Sequence, residues 1–354
     1  MASPARSGQL EVAAMRRAVA LAARGLGTTS PNPVVGCVVL DARGEVAGEG
    51  WHERAGGPHA EVRALAAAGP HARGGTAVVT LEPCAHTGRT PPCVQALLTA
   101  GVARVVFAVA DPGQVAGGGG AALAAAGVSV EGGVLAAEAE RVNEAWLTAA
   151  RRRRPHVLWK FAVTLDGRSA AADGTSRWIS SAASRAEVHE LRRQVDAVVV
   201  GVGTVLADDP ALTARDAGGA LLGRQPLRVV VDSAGRTPPG ARVLDDAAPT
   251  LVATAAEVGA GPDGRVDLAK LLAVLHARGI VSVLLEGGPS LAGAFLAAGL
   301  VDRVTAYVAP ALLGAGPAAL ADAGVGTIAD AVRLDVDDVT VVDGDVRISG
   351  RPRV

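Results

Sequence analysis

The chain has 354 residues, enough for two domains rather than one, and nearly half of them are hydrophobic. Its formal net charge is −1 and aromatic residues make up 2%, so the basic surplus and stacking rings of a nucleic-acid binder are both missing. No apolar run reaches the ~18 residues of a membrane span, and three cysteines without an apolar leader point to a reducing cytoplasm and away from a disulfide.

In chain order, "EVAAMRRAVALAARG" (11–25) has apolar residues at helical spacing and stops at Gly25; Arg16 and Arg17 interrupt it, so it does not read as a signal peptide. "VVGCVVL", the turn "DARGE" and "VAGEGWH" predict a two-stranded hairpin. "PHAEVRALAAAG" predicts a helix with Pro58 near its start and Gly69 at its end. Strand "TAVVTLEP", helix "PCVQALLTAG" and strand "VARVVFAVAD" follow, then a weaker helix and strand, with the low-complexity "GQVAGGGGAALAAAG" read as a loop entering a short helix. "LAAEAERVNEAWLTAARRRR" predicts one long helix (135–154), ended by the charge run and proline of "RRRRP". The rhythm restarts in "HVLWKFAVTL", "DAVVVGV", "LRVVVDS", "PTLVATA", "VSVLLEG" and "RVTAYVAP". The expected organisation is therefore α/β domains at 1–150 and 156–354 joined at 151–155, each an open sheet covered by helices.

"TLEPCAHTGRTPPC" (80–93) sets Cys84 and Cys93 at the two ends of a proline-rich loop, one at a strand end and the other at a helix start. Two cysteines this close form a disulfide, clamp a metal or merely pack, and the reducing compartment weighs against the first. The nearest upstream ligand type is His59. One histidine and two cysteines leave a fourth position for water, as in a catalytic zinc site, where that water's pKa falls to about 7. Glu61 lies two residues after His59, roughly 200° away on a regular helix. A shared face is therefore excluded mid-helix, but in a first turn Glu61 can reach the bound water and carry its proton to a leaving amine. H-x-E followed by P-C is the pattern of zinc nucleobase deaminases, although eight residues rather than two separate the cysteines here. Cys37 reads as a small buried hydrophobe, and His71, His189 and His276 as ordinary residues of polar helix segments. His86 and Arg89, inside the loop, form a basic pair suited to a phosphate.

With "PNPVVGCVV" and "GWHERAGGPHAEV", the cysteine loop resembles the deaminase half of the bifunctional riboflavin-biosynthesis deaminase/reductase family. The resemblance implies a zinc cytidine-deaminase-like, three-layer α/β/α domain. Zinc would sit on His59, Cys84 and Cys93, with Glu61 catalytic and the loop between the cysteines touching substrate. Asn32 would read a pyrimidine edge, and His52 would be a substrate neighbour.

In the second half, "GVG" (201–203) follows a strand but lacks the full G-x-G-x-x-G, so a Rossmann domain is not expected. "VSVLLEGGPSLAGAFLAAG" ends a strand at Glu286 and opens a helix near Ser290, whose N–H groups suit a phosphate. "KFAVTLDGRSA", "SRWIS", "GVGTVLADDPALTAR" and "EGGPSLAGAFL" resemble the reductase half of the same family, which implies a dihydrofolate-reductase-like α/β domain using NADPH. By position, the resemblance assigns cofactor contacts to Ala162, Trp178, Thr204, Asp208, Gly288, Pro289, Ser290, Leu291, Ala292, Gly293 and Ala294. It assigns substrate contacts to Ser176, Arg192, Leu212, Arg215 and Glu286. Beyond what the resemblance assigns, Lys160 and Asp166 are expected to orient the ribose. Arg192 and Arg215 carry the charge a phosphate needs. "DPGQVAGGGG" lacks the asparagine-proline usual in the family, and neither 216–226 nor the last forty residues receives a role.

The implied activity is hydrolytic deamination of a phosphorylated diaminopyrimidine followed by NADPH-dependent reduction of its ribosyl group. The partners expected are small phosphorylated pyrimidines, with no nucleic acid and no membrane. A chain this rich in apolar strands is also expected to form a homo-oligomer, a dimer or tetramer, in the cytoplasm.

Overall fold

The chain folds as two units, Met1–Arg152 and Arg153–Val354, and the computed structural model describes residues 4–86, 91–113 and 117–353. The first unit runs α1 (Pro4–Ala23), β1 (Gly36–Leu40), β2 (Val46–Trp51), α2 (Ala60–Ala68), β3 (Thr76–Leu81), α3 (Cys93–Ala100), β4 (Arg104–Val109), α4 (Gly119–Ala125), β5 (Ser129–Gly132), α5 (Ala136–Val142) and α6 (Glu144–Arg152). Its sheet has the order β2-β1-β3-β4-β5; β1 is antiparallel to both neighbours, while β3, β4 and β5 are parallel. The period of two in a strand sends alternate residues to opposite faces. Val38, Leu40, Val78 and Val106 pack against Met15, Ala18 and Leu21 of α1 and Leu147 of α6. Cys37, Val39, Ala77, Val79 and Val105 pack against Ala60 and Ala64 of α2, Leu97 of α3 and Leu123 of α4. Both faces are thus covered by helices, in the three-layer arrangement expected, and Cys37 is a fully buried core residue.

Two glycines set the height of α2 above the sheet. A Cβ on Gly48 would stand 2.3 Å from the Ala64 carbonyl oxygen, and one on Gly50 would stand 2.6 Å from the Ala64 nitrogen. Only glycine permits that approach. It fixes where α2 begins, and with it His59 and Glu61.

The long helix expected over 135–154 is two helices, α5 and α6, broken at Asn143. The break has a physical reason: the Asn143 side chain, 4% exposed, accepts from Val34 N at 3.0 Å and donates to Val34 O at 2.7 Å. It satisfies both backbone groups of a buried residue just before β1. Asn143→Ala is expected to strand both and to destabilise the first unit by about 2–4 kcal/mol. A urea midpoint unchanged from wild type would contradict this.

The second unit runs β6 (His156–Thr164), α7 (Ala182–Gln194), β7 (Ala197–Gly201), α8 (Val202–Asp208), β8 (Leu227–Val231), β9 (Thr250–Ala253), α9 (Ala255–Val258), α10 (Leu268–Ala277), β10 (Ser282–Leu285), α11 (Pro289–Ala297), β11 (Arg303–Ala309), β12 (Leu334–Val342) and β13 (Asp345–Pro352). The sheet order is β12-β13-β11-β6-β10-β7-β8-β9. From β11 to β9 all neighbours are parallel, and the β12–β13 hairpin extends the sheet antiparallel. One face packs on Leu271, Leu272 and Leu275 of α10 and Phe295 of α11. The other packs on α8 and the loops around it through Val202, Val205, Leu212 and Val243. The last forty residues thus contain a hairpin. Its turn, Asp343–Gly344, has positive φ at both positions (48° and 88°), the two-residue geometry that matches strand twist. No helix among the described residues is long and apolar enough to cross a membrane.

Candidate functional site

In the first unit, three side chains from three elements converge. His59 is the N-cap of α2 with extended backbone (φ −70°, ψ 163°), Cys93 is the first residue of α3, and Cys84 follows β3 in the loop. His59 Nδ1 lies 3.1 Å from Cys93 Sγ and 3.7 Å from Cys84 Sγ, and Cys93 N donates to Cys84 Sγ at 3.3 Å. The three ligand atoms lie within 4.8 Å of one another, and both cysteines are free thiols. The hydrogen bond from Cys93, aided by His59, pulls the Cys84 thiol down to about 4, while Cys93 is pushed up by the same bond and by burial. One imidazole and two cysteine sulfurs, one already disposed to ionise, form a donor set that fits zinc and leaves a fourth position for a small ligand.

Glu61 lies beside this set, in the first turn of α2, 4% exposed and accepting a hydrogen bond from the Cys93 thiol. Burial pushes its carboxyl above the usual range, which suits a group that must both take and give a proton near neutral pH. His52 stands edge-on to His59 with ring centroids 5.5 Å apart. Its Nδ1 donates to Pro58 O at 3.2 Å, which leaves Nε2 to accept from the Asn32 amide at 3.4 Å. Burial lowers the His52 pKa, so it is a neutral ring at pH 7.

The second unit holds a cleft of about 1900 Å³ at the C-terminal ends of β7, β8 and β10, where parallel α/β sheets bind ligands. Lys160, Trp178, Arg192, Arg215, Glu286 and Ser290 are among its walls. Arg192 Nε and Nη2 donate to the two oxygens of Glu286 at 2.6 and 2.8 Å, and Nη1 donates to Thr213 O at 3.2 Å. Burial pushes the Glu286 carboxyl up, but the charge and hydrogen bonds of Arg192, with Lys160 beyond, hold it below its usual range. Arg215 instead donates to Thr213 Oγ1 and Gly219 O, and among the described residues it makes no ion pair. Gly288, the N-cap of α11, donates to Thr204 Oγ1 at 3.2 Å, which ties α8 to the helix start. A roomy cleft, glycines 287 and 288, and this helix start together suit a dinucleotide.

The zinc-binding region of cytidine and deoxycytidylate deaminases matches residues 9–109, and the RibD C-terminal domain matches residues 155–348. The chain belongs to the RibD family. It is 52% identical over 324 residues to the riboflavin biosynthesis protein RibD of Mycobacterium tuberculosis (strain H37Rv), covering 91% of this chain and 92% of that one. It is 44% identical over 355 residues to RibD of Escherichia coli (strain K12), covering 94% and 96%. Its fold matches that of Acinetobacter baumannii RibD with a TM-score of 0.86 at 38% identity, over 98% of this chain and 100% of that one. A diaminohydroxyphosphoribosylaminopyrimidine deaminase/5-amino-6-(5-phosphoribosylamino)uracil reductase from Thermotoga maritima gives a TM-score of 0.88 at 36% identity, over 98% and 99%. As a RibD-family chain it is a bifunctional deaminase/reductase of riboflavin biosynthesis, the deaminase region in its first unit and the reductase domain in its second.

In the RibD deaminase unit, His59, Glu61, Cys84 and Cys93 come together, with His52 beside His59 and exposed Asn32 against His52. His86 is half-buried, and its Nδ1 has no partner among the described residues. Arg89 lies outside the described residues. In the reductase unit, every position the resemblance assigns lines the cleft except Ala292 and Gly293. Ala292 faces the core, and Gly293 is buried against the loop at 321–322, where a Cβ would stand 2.4 Å from Asp322 O. Asp166 is also absent from the cleft walls. It accepts from Thr164 Oγ1 and the Leu313 and Gly314 N–H groups, which bring it to about 2, and it serves as a loop anchor.

Three cleft residues escaped the sequence reading. Arg177 and Arg185 flank Trp178, with the Arg185 guanidinium 4.3 Å from its ring centroid, and Trp178 is 68% exposed rather than a core residue. His189, which in sequence reads as an ordinary helix residue, also lines the cleft. The signal was available: Arg185, His189 and Arg192 recur at i, i+4 and i+7, one basic stripe along α7.

Proposed function

We propose that the first unit deaminates 2,5-diamino-6-(5-phosphoribosylamino)pyrimidin-4(3H)-one and that the second reduces the resulting 5-amino-6-(5-phosphoribosylamino)uracil to its ribityl form. The observation that carries the reading is the His59, Cys84, Cys93 cluster with Glu61 buried against it. Zinc, when bound by these three residues, supplies an acidified water as the nucleophile. Glu61 takes the proton from the attacking water and delivers it to the leaving amine, and its raised pKa lets it hold that proton in between. His52, neutral and fixed by Pro58 and Asn32, forms a wall of the pyrimidine pocket, and the Asn32 amide offers hydrogen bonds to the ring edge. His86 and Arg89 are assigned to the substrate phosphate.

In the second unit NADPH, when bound along the start of α11, supplies the hydride. The substrate's 5′-phosphate falls to Arg215, which makes no ion pair among the described residues, while Arg192 serves mainly to hold Glu286 ionised beside the ribose. Lys160 offers an ammonium to the ribose oxygens. The reaction site is cytoplasmic in this proposal. A homo-oligomer is also part of it, supported by the outer face of edge strand β12, where Val339 and Val341 are 62% and 70% exposed; a monomeric mass in light scattering would remove that part. The deciding experiment is a coupled assay with the diaminopyrimidine phosphate. Ammonia release followed by NADPH oxidation is the expected sequence, and NADPH oxidation without prior ammonia release would overturn it.

A further inference from the structure

Of the chain's 34 lysines and arginines only two, Lys160 and Lys270, are lysines, and Tyr307 is its single tyrosine. Lys160 lines the reductase cleft, and the tyrosine lies buried beside it, outside the cleft lining. Lys160 on β6 pairs in register with Thr305 on β11, and Ala162 pairs with Tyr307, so Lys160 and Tyr307 project from the same side of the sheet. The Lys160 Nζ stands 5.8 Å from the Tyr307 ring centroid, and among the described residues it makes no ion pair or hydrogen bond. The carboxylate whose charge acts on it, Glu286, is already held at both oxygens by Arg192. The tyrosine itself is 1% exposed. Its hydroxyl donates to Glu187 at 3.0 Å, and Glu187 is in turn held by Arg347. The ring is thereby pinned from behind, with its π face toward the ammonium.

We propose that Tyr307 is a positioning residue of the reductase site: its anchored ring keeps Lys160 charged and directed into the cleft, where an oxygen of the bound sugar phosphate completes its coordination. This rests on the reading of the cleft as the reductase site. The physical need is clear. Burial and the neighbouring Arg192 charge both disfavour the ammonium, and Glu286 opposes them only in part. A ring face under a desolvated cation restores some of what hydration would have given. The charged or titratable groups around Lys160 are Glu286 after β10, Arg192 and Glu187 on α7, and Tyr307 on β11, whose phenol is kept protonated by burial and by Glu187.

With two lysines in the chain, protein labelled with [13Cε]-lysine gives two resonances, and exposed Lys270 is the internal reference. In Tyr307→Leu the Lys160 midpoint should fall by about half to one pH unit, a three- to tenfold loss of proton affinity, while Lys270 stays in place. Tyr307→Phe, which keeps the ring, should leave the midpoint within about 0.3 unit. Should the leucine variant not fold, biosynthetic fluorotyrosine alters this one residue without changing its shape, and each added fluorine should lower the Lys160 midpoint further. An unchanged midpoint across the fluorotyrosine series, or equal shifts in Tyr307→Phe and Tyr307→Leu, overturns the proposal. Reduction by the wild-type enzyme is measured in parallel: its absence would undo the reductase reading, whereas its presence beside an unmoved Lys160 would undo only this one.

Discussion

Glu61→Gln should lower ammonia release by about 10²–10⁴-fold, the range a positioned acid–base group supplies, and leave reduction of pre-deaminated substrate within twofold. Glutamine fills the same volume and keeps a hydrogen-bonding oxygen, so α2 retains its seat on Gly48 and Gly50. What it cannot do is accept a proton. Glu61 is 4% exposed, and burial has already raised its carboxyl, so removing its charge relieves desolvation rather than creating a hole. The lost activity therefore reports chemistry and not unfolding. The two activities belong to different units of the chain, which predicts that the second is spared. Ammonia release within tenfold of wild type, or equal loss of both activities, would refute the assigned role.

Glu286→Gln is the corresponding lesion in the reductase. It leaves the Arg192 guanidinium, 16% exposed, facing a neutral amide, and breaking a buried pair from one side costs about 3–5 kcal/mol. Reduction should fall by about 100-fold or more if even 3 kcal/mol of that appears in the loaded site, while ammonia release continues. The pair also has a pH signature. The folded Glu286 carboxyl lies below its ordinary value, so its stabilisation is complete above the unfolded glutamate pKa of about 4.3. It is lost as pH falls through the lower folded value. Wild-type protein should therefore lose stability in that acid window, and Glu286→Gln should lose less. Identical acid unfolding profiles would show that the pair contributes nothing to folding.

What the sequence could and could not reveal follows from the range of the interactions concerned. His59, Glu61, Cys84 and Cys93 were legible because a metal site demands particular donor types at element ends, and prolines mark those ends at Pro83 and Pro92. The strands were legible because burial on both faces makes continuous apolar runs. Asn143 was not, because its partner Val34 lies 109 positions away and nothing local distinguishes it from an ordinary helix residue. The β12–β13 hairpin was overlooked although "VVDGDV" contains the Asp-Gly turn between β-branched residues that announces it. Its strand alternates valine with aspartate, which reads as polar sequence when burial alone is considered. On α11, Ala292 and Gly293 were assigned to the cleft because a contiguous segment was carried over whole. A helix turns successive residues by 100°, so a run of seven cannot all face one ligand.

The most direct test of the whole account is X-ray absorption at the zinc edge on protein purified without chelators. One zinc per chain is expected, with two sulfur neighbours at ~2.3 Å and two nitrogen or oxygen neighbours at ~2.0 Å. Metal-free protein that still releases ammonia, a bond between the two sulfurs, or a shell filled by four protein ligands would contradict it.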